Sequence, residues 1–211
     1  MSVTGDPLGP PARILLVRHG ESEWNASGRW QGQADPPLSG EGRAQASRAI
    51  EHARGLVDRI HASDLQRAHD TARIIGAGLA LEVAIESDLR ERDIGVWSGL
   101  TMAEVEAGWP GYVAAGRRPP GAELDDALWE RVSGALLRLA SAGGTPMVVS
   151  HGGVIGLIER RIGLPFGKIY NLEGRWLEVR GETITLGARV RLDAHPQREA
   201  VETMGRDKHI V

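Results

Sequence analysis

The chain has 211 residues, with 25 Lys and Arg against 28 Asp and Glu, a formal charge of 25 − 28 = −3. That length suits one compact domain, and 41% hydrophobic with 25% charged residues is ordinary for a globular protein. The mildly acidic balance argues against nucleic-acid binding, no apolar run approaches the ~20 residues of a membrane-spanning helix, and the lack of cysteine excludes disulfides, thiolate metal sites and a cysteine nucleophile.

Met1–Ala12 carries Gly5, Pro7, Gly9, Pro10 and Pro11 and is expected to be a flexible leader. It has neither the basic start nor the apolar core of a secretion signal, so the expected location is the cytoplasm. Arg13–Val17 (R-I-L-L-V) is a short apolar run suited to a strand buried on both faces, and R-H-G-E-S follows it at once. A helix is predicted from Ser39 to about Arg54, entered through D-P-P-L, and Arg59–Ala62 reads as a weak second strand. Ser63, with Gln66 three residues on, has the form of a capping box and predicts a helix through Ile75. Leu81–Ile85 is a third candidate strand, and Gly108–Gly121 is irregular, the base of a small lid insert near 100–124. Asp125–Leu139 is the clearest helix, with Leu128, Val132, Leu136 and Leu139 on one face. Pro146–Val149 is another buried strand running into S-H-G-G, with a helix over Val154–Ile162 behind it. Trp176–Val179 and Thr183–Leu186 resemble a hairpin turning at Arg180-Gly181. The polar stretch from Leu192 onward is expected to be a C-terminal tail outside a domain at 13–191.

Strands alternating with helices mean an α/β domain with a mostly parallel central sheet. Two of its strands end alike, in Arg18-His19-Gly20 and in Ser150-His151-Gly152. Ligands bind beyond the carboxyl ends of strands in such sheets, which makes both histidines candidates to face one pocket. Taken singly, a histidine before a glycine is as well explained as a turn residue.

The rest of the pattern is more specific. L-V-R-H-G-E-S-E-W-N, W-Q-G-Q-A-D-P-P-L-S-G-E-G-R-A-Q-A, A-S-D-L-Q-R-A-H-D-T-A, L-R-E-R-D-I-G-V-W-S-G and V-V-S-H-G-G-V follow one another within residues 15–154. In that order and spacing they closely resemble the histidine phosphatase superfamily, also called the phosphoglycerate mutase-like family. The resemblance implies a three-layer α/β/α sandwich. It implies that His19 is the nucleophile, transiently phosphorylated on a ring nitrogen, and that Arg18, Arg67 and His151 hold the phosphoryl oxygens. Asn25 would add a phosphate contact, Glu91 would give the leaving group its proton, and Gln31 and Gly32 would lie on the loop flanking the pocket. No metal and no cofactor is implied.

Those residue types suit the chemistry. A phosphoryl group in transfer spreads negative charge over three oxygens, so positioned cations are the main catalytic resource. The nucleophile must be an unprotonated imidazole nitrogen, its tautomer fixed by a hydrogen bond at the other nitrogen. A carboxylic acid then protonates the departing alkoxide and, reversed, activates the water that cleaves phosphohistidine. Outside the family frame, Glu91 lies in a charge run (R-E-R-D) that reads as a solvated loop, and Arg67 could lie on a solvated helix face. Asp35, Ser39 and Ser63 read as turn and cap residues, and His52, His61, His69, His195 and His209 match no motif. Trp24, Trp30, Trp97 and Trp109 are candidate pocket walls, whereas core packing is the main expectation for Trp97, Trp129 and Trp176.

Within the family, three departures from the mutase pattern favour a phosphatase of small phosphomonoesters. Glu91 is followed by R-D-I-G-V-W-S-G rather than H-Y-G after the arginine, the second histidine by G-G-V rather than G-N, and the stretch from Gly99 to Asp125 is short for a cap. The alternatives are a cofactor-dependent phosphoglycerate mutase and a non-catalytic phospho-ligand binding module, though no nucleophile or arginine has been lost here. A metallohydrolase built on His19 and His151 lacks a local ligand cluster such as H-E-x-x-H. The expected partner is a small phosphorylated metabolite, with no nucleic acid and no membrane. Arg117 and Arg118, in the lid insert, are candidates to reach an acidic substrate. The hairpin near 175–190 and the tail are the segments offered for a homodimer contact. The basic residues number 23 Arg to 2 Lys, of which Arg18 and Arg67 alone fall where this chemistry needs them.

Overall fold

The computed structural model describes residues 10–164 and 167–193, so the N-terminal leader up to 9, His195, Lys208, His209 and the tail beyond 193 lie outside the described residues. Six strands, β1 (Ala12–Arg18), β2 (Arg59–Ala62), β3 (Val83–Ile85), β4 (Pro146–Ser150), β5 (Glu173–Arg180) and β6 (Thr183–Arg191), form one sheet in the order β3-β2-β4-β1-β5-β6. The pairings β1·β4, β2·β4 and β2·β3 are parallel, and β5 adds antiparallel to β1 and carries β6 as a hairpin. The mostly parallel sheet is thus parallel in the half that carries the two histidines and antiparallel in the other.

Side chains alternate across β1 and β4 as the pleat requires, and both faces are covered. Leu15, Val17, Met147 and Val149 share a core with the alanines of α2 (Gly40–Ala53) and α3 (Gln66–Leu79). Ile14, Leu16 and Val148 point the other way, into a core with Leu128, Val132 and Leu136 of α5 (Asp125–Ser141) and Ile155 and Ile158 of α6 (Gly152–Arg161). This is the expected three-layer α/β/α arrangement. Small residues on the inner face of α2 (Ala46, Ala49, Ala53) let that helix lie close to the sheet. Among the described residues no helix is long and apolar enough to cross a membrane.

Several local expectations are corrected. Ser63 does not cap α3: it is buried, and its hydroxyl accepts from the Leu65 amide at 3.3 Å. The helix starts at Gln66 after Leu65, and the Gln66 amide is capped by Asp35 Oδ1 at 2.6 Å, from 31 residues away. A local capping box was therefore displaced by a cap supplied through the tertiary fold. The lid insert contains a short helix, α4 (Met102–Gly108), entered by a capping box of Thr101 and Glu104. A further one-turn helix, α1 (Glu23–Ala26), follows R-H-G-E and is boxed by Ser22 and Asn25. Just past the expected boundary at 191, Leu192 and Asp193 are buried, and Asp193 Oδ1 accepts from Arg48 Nε on α2 at 2.5 Å. At the other end Ala12 already pairs with Val179.

Candidate active site

β1 and β4 run side by side with Arg18 opposite Ser150, and the His19 amide donates to the Ser150 carbonyl at 2.9 Å. The two strand ends therefore deliver His19 and His151 together, with ring centroids 5.2 Å apart. The chain turns at Gly20 directly beneath α2, where a Cβ would stand 2.6 Å from the Gly42 carbonyl oxygen. The glycine of R-H-G is required by that approach.

His19 is buried, and its Nδ1 lies 2.6 Å from the Gly20 carbonyl oxygen. A carbonyl can only accept, so Nδ1 carries the proton and Nε2 holds a bare lone pair. Arg67 Nε donates to that Nε2 at 3.2 Å. Burial, reinforced by the Arg67 and Arg18 charges, pushes the proton affinity of His19 well below that of an ordinary histidine.

Arg67 is the second residue of α3 and almost fully buried. One N–H of each terminal nitrogen reaches a loop carbonyl, NH1 to Ala34 O at 2.7 Å and NH2 to Gly32 O at 2.8 Å, and the other two N–H groups are not used by these bonds. Burial lowers its pKa to about 10, against the pull of Glu91 and Asp35. Arg18 is half-buried, donates to Ile169 O at 2.5 Å, and is likewise lowered by burial. His151 precedes α6, is completely buried, and has neither ring nitrogen hydrogen-bonded among the described residues. Burial first, then Arg67 and His19, hold it well below its usual pKa. An unpartnered buried imidazole costs folding energy.

Glu91 follows a 3-10 turn at Ser87–Leu89, whose last carbonyl accepts from Ser150 Oγ at 2.8 Å. The carboxylate accepts from two backbone amides, Arg92 N to Oε1 at 2.8 Å and Gly153 N to Oε2 at 2.9 Å. Gly153 lies in the first turn of α6, so the start of that helix holds His151 and Glu91 in one frame.

Arg18, His19, Asn25, Gln31, Gly32, Arg67 and Glu91 all line one cavity of about 910 Å3. His151 does not line it; its ring stands edge-on to that of His19. Asn25 Oδ1 accepts from the Ser22 amide at 3.3 Å and Asn171 Nδ2 at 3.4 Å, and Gln31 Oε1 accepts from Ser22 Oγ at 2.8 Å. Trp30 and Trp97 line the cavity, Trp97 while also buried, whereas Trp24 and Trp109 do not. Trp109 instead packs edge-on against Trp97 at 6.2 Å. Arg117 and Arg118 line the mouth, and Arg118 joins Arg92 on Asp125 Oδ1, at 2.7 and 2.5 Å. Sequence reasoning missed Arg92, Arg160 and Lys168 as lining residues, and missed Asn171, whose amide donates to the His19 carbonyl at 2.9 Å. Arg92 lies within L-R-E-R-D-I-G but was given no role there, and Arg160, Lys168 and Asn171 lie in no quoted motif.

A family model described as the histidine phosphatase superfamily (branch 1) matches residues 14–181. The chain belongs to the histidine phosphatase superfamily. A relative, "Probable phosphoglycerate mutase GpmB" of Salmonella paratyphi B, is 39% identical over 163 residues, covering 72% of this chain and 76% of its own. A solved mycobacterial glucosyl-3-phosphoglycerate phosphatase in complex with VO3 matches with a TM-score of 0.75 at 29% identity, over 84% of this chain and 98% of that one. A phosphoglycerate mutase from Bacillus anthracis shares the fold at 20% identity, with a TM-score of 0.74 over 87% of this chain and 94% of that one. This superfamily member is accordingly an enzyme, with relatives named both as mutases and as phosphatases.

Proposed function

We propose that the protein is a phosphatase that hydrolyses small phosphomonoesters through a phosphohistidine on His19, without a metal ion. The observation that carries this reading is the fixed tautomer of His19, its bare Nε2 turned toward the guanidinium of Arg67. In the first step Nε2 attacks phosphorus, the P–N bond forms, the P–O bond to the alcohol breaks, and Glu91 supplies the proton that the departing oxygen takes. In the second step Glu91 takes a proton from water, whose oxygen attacks phosphorus; the P–N bond breaks and inorganic phosphate leaves. Arg18 and Arg67, on the cavity wall, hold the oxygens through both steps, and Asn25 adds a contact. The low proton affinity of His19 keeps the nucleophile unprotonated down to acid pH.

The alcohol half of the substrate occupies the wider mouth. Among the described lining residues eight are cationic (Arg18, Arg29, Arg67, Arg92, Arg117, Arg118, Arg160, Lys168) and two are carboxylates (Glu91, Asp125), in a chain of net charge −3. That excess favours substrates with an acidic group besides the phosphate.

A second reading, transfer of the phosphoryl group between positions of phosphoglycerate, is favoured by the name of the 39% identical relative. A panel of phosphomonoesters, assayed in excess chelator for free phosphate and for positional isomers, tests both. The expected outcome is stoichiometric free phosphate, lost in His19→Ala. Isomer without free phosphate would establish the mutase, and full activity of His19→Ala would overturn both readings.

A further inference from the structure

We propose that Arg131, on α5 and outside the cavity, is the positioning residue that aims the Glu91 carboxyl; this rests on the reading of Glu91 as the proton donor. Residues 90–94 belong to no helix or strand, so their backbone has no ladder to fix it. Arg131 supplies what the ladder would. Its NH1 donates to the carbonyls of Asp88 at 2.8 Å and Arg90 at 2.7 Å, and its NH2 to the Glu91 carbonyl at 3.0 Å. The two remaining donors close on Glu123, Nε to Oε1 at 2.7 Å and NH2 to Oε2 at 2.8 Å.

These contacts use all five N–H groups of the guanidinium, so none is left for a substrate. Glu123 extends the clamp: its backbone pairs with Asp93, N to O at 2.9 Å, and its carbonyl accepts from Arg92 at 2.7 Å. Arg92 is the residue whose amide holds Glu91 Oε1. The segment bearing the acid is thus gripped on both sides of Glu91 by one planar fork and its counter-ion. Lysine cannot replace it, because three donors on one nitrogen do not span three carbonyls and a carboxylate.

A purely structural anchor would lower every reaction alike, whereas a residue acting through the proton donor matters most where the leaving group needs a proton. The measurement is rapid-quench phosphorylation of His19 by the full chain, with p-nitrophenyl phosphate and with an alkyl phosphate that the wild type turns over. For Arg131→Met we expect the alkyl rate to fall about tenfold or more and the p-nitrophenyl rate to stay within about threefold, the same split as in Glu91→Gln. Equal losses, or no loss, in Arg131→Met overturn the proposal. Absence of the split in Glu91→Gln itself would remove the underlying reading of Glu91 instead. If Arg131→Met does not fold, Glu123→Gln, which leaves the three carbonyl bonds but loosens the fork, is read by the same ratio: a split supports the clamp and no split overturns it.

Discussion

Arg67 Nε donates to His19 Nε2 at 3.2 Å, while His19 Nδ1 is committed to the Gly20 carbonyl at 2.6 Å. One ring nitrogen is thereby protonated and the other is unprotonated, accepting from a buried cation. That cation is held by two loop carbonyls, of Gly32 and Ala34. The loop of W-Q-G-Q-A-D and the start of α3 are thus joined at the His19 end of the cavity.

Replacing Arg67 separates stability from activity. Its lowering to about 10 disfavours the folded state at neutral pH by roughly 3 kcal/mol. Removing the side chain relieves that cost but leaves two carbonyls unsatisfied, at about 1–3 kcal/mol each. The opposing terms are similar, so Arg67→Met is expected to melt within a few degrees of wild type while kcat/KM falls at least about a hundredfold. Thermal melts and kinetics on one preparation check this; a large loss of stability would contradict it.

The two buried histidines make the fold sensitive to acid. Both are neutral in the folded state with pKa values well below 6.5, whereas in the unfolded chain they titrate near that value. As pH falls through about 6.5 the unfolded state binds more protons, so stability is lost with acid and is level above neutrality. Each histidine contributes at most ~1.4 kcal/mol per pH unit. Urea melts at pH 7.5 and 5.5 are expected to differ by on the order of 2 kcal/mol, the acid melt being weaker. A midpoint that rises on acidification would contradict the burial of neutral imidazoles.

Gly153 explains the second glycine of S-H-G-G. A Cβ there would stand 2.3 Å from Glu91 Oε1, the far end of a side chain that can swing away. Gly153→Ala is therefore expected to cost little stability, about 1 kcal/mol or less, and to lose an alkyl phosphatase activity about tenfold or more. Steady-state rates and melting temperatures check this, and unaltered turnover would show that Glu91 need not hold its position.

The end of β6 is clasped to α2 by residues outside the expected domain boundary. Leu192 is buried, and Asp193, itself buried, pairs with Arg48. Leu192→Ala should destabilise by about 2–4 kcal/mol through lost burial and the cavity left behind. A denaturant midpoint equal to wild type would show that this segment does not belong to the core.

The features legible in the sequence share one property: their cause is local. R-I-L-L-V and P-M-V-V read as buried strands, and the rule that ligands sit beyond strand ends placed His19 and His151 together. The family resemblance added Arg67, Asn25 and Glu91, which the fold brings to the same cavity. What could not be read depends on long-range placement. Asp35 looked like a turn residue and caps a helix 31 positions on; Arg131 stands in no motif and grips the Glu91 segment. Asn171 carries no pattern at all, yet it bonds the His19 carbonyl across 152 residues.

The central claim is that His19 carries the phosphoryl group. Rapid quench with a phosphomonoester labelled in its phosphate, followed by peptide mapping at alkaline pH, tests it most directly. The account predicts an acid-labile label on the peptide containing His19, formed and lost at rates that account for turnover, and absent from His19→Ala. Full turnover with no label on that peptide, or undiminished hydrolysis by His19→Ala, would contradict it.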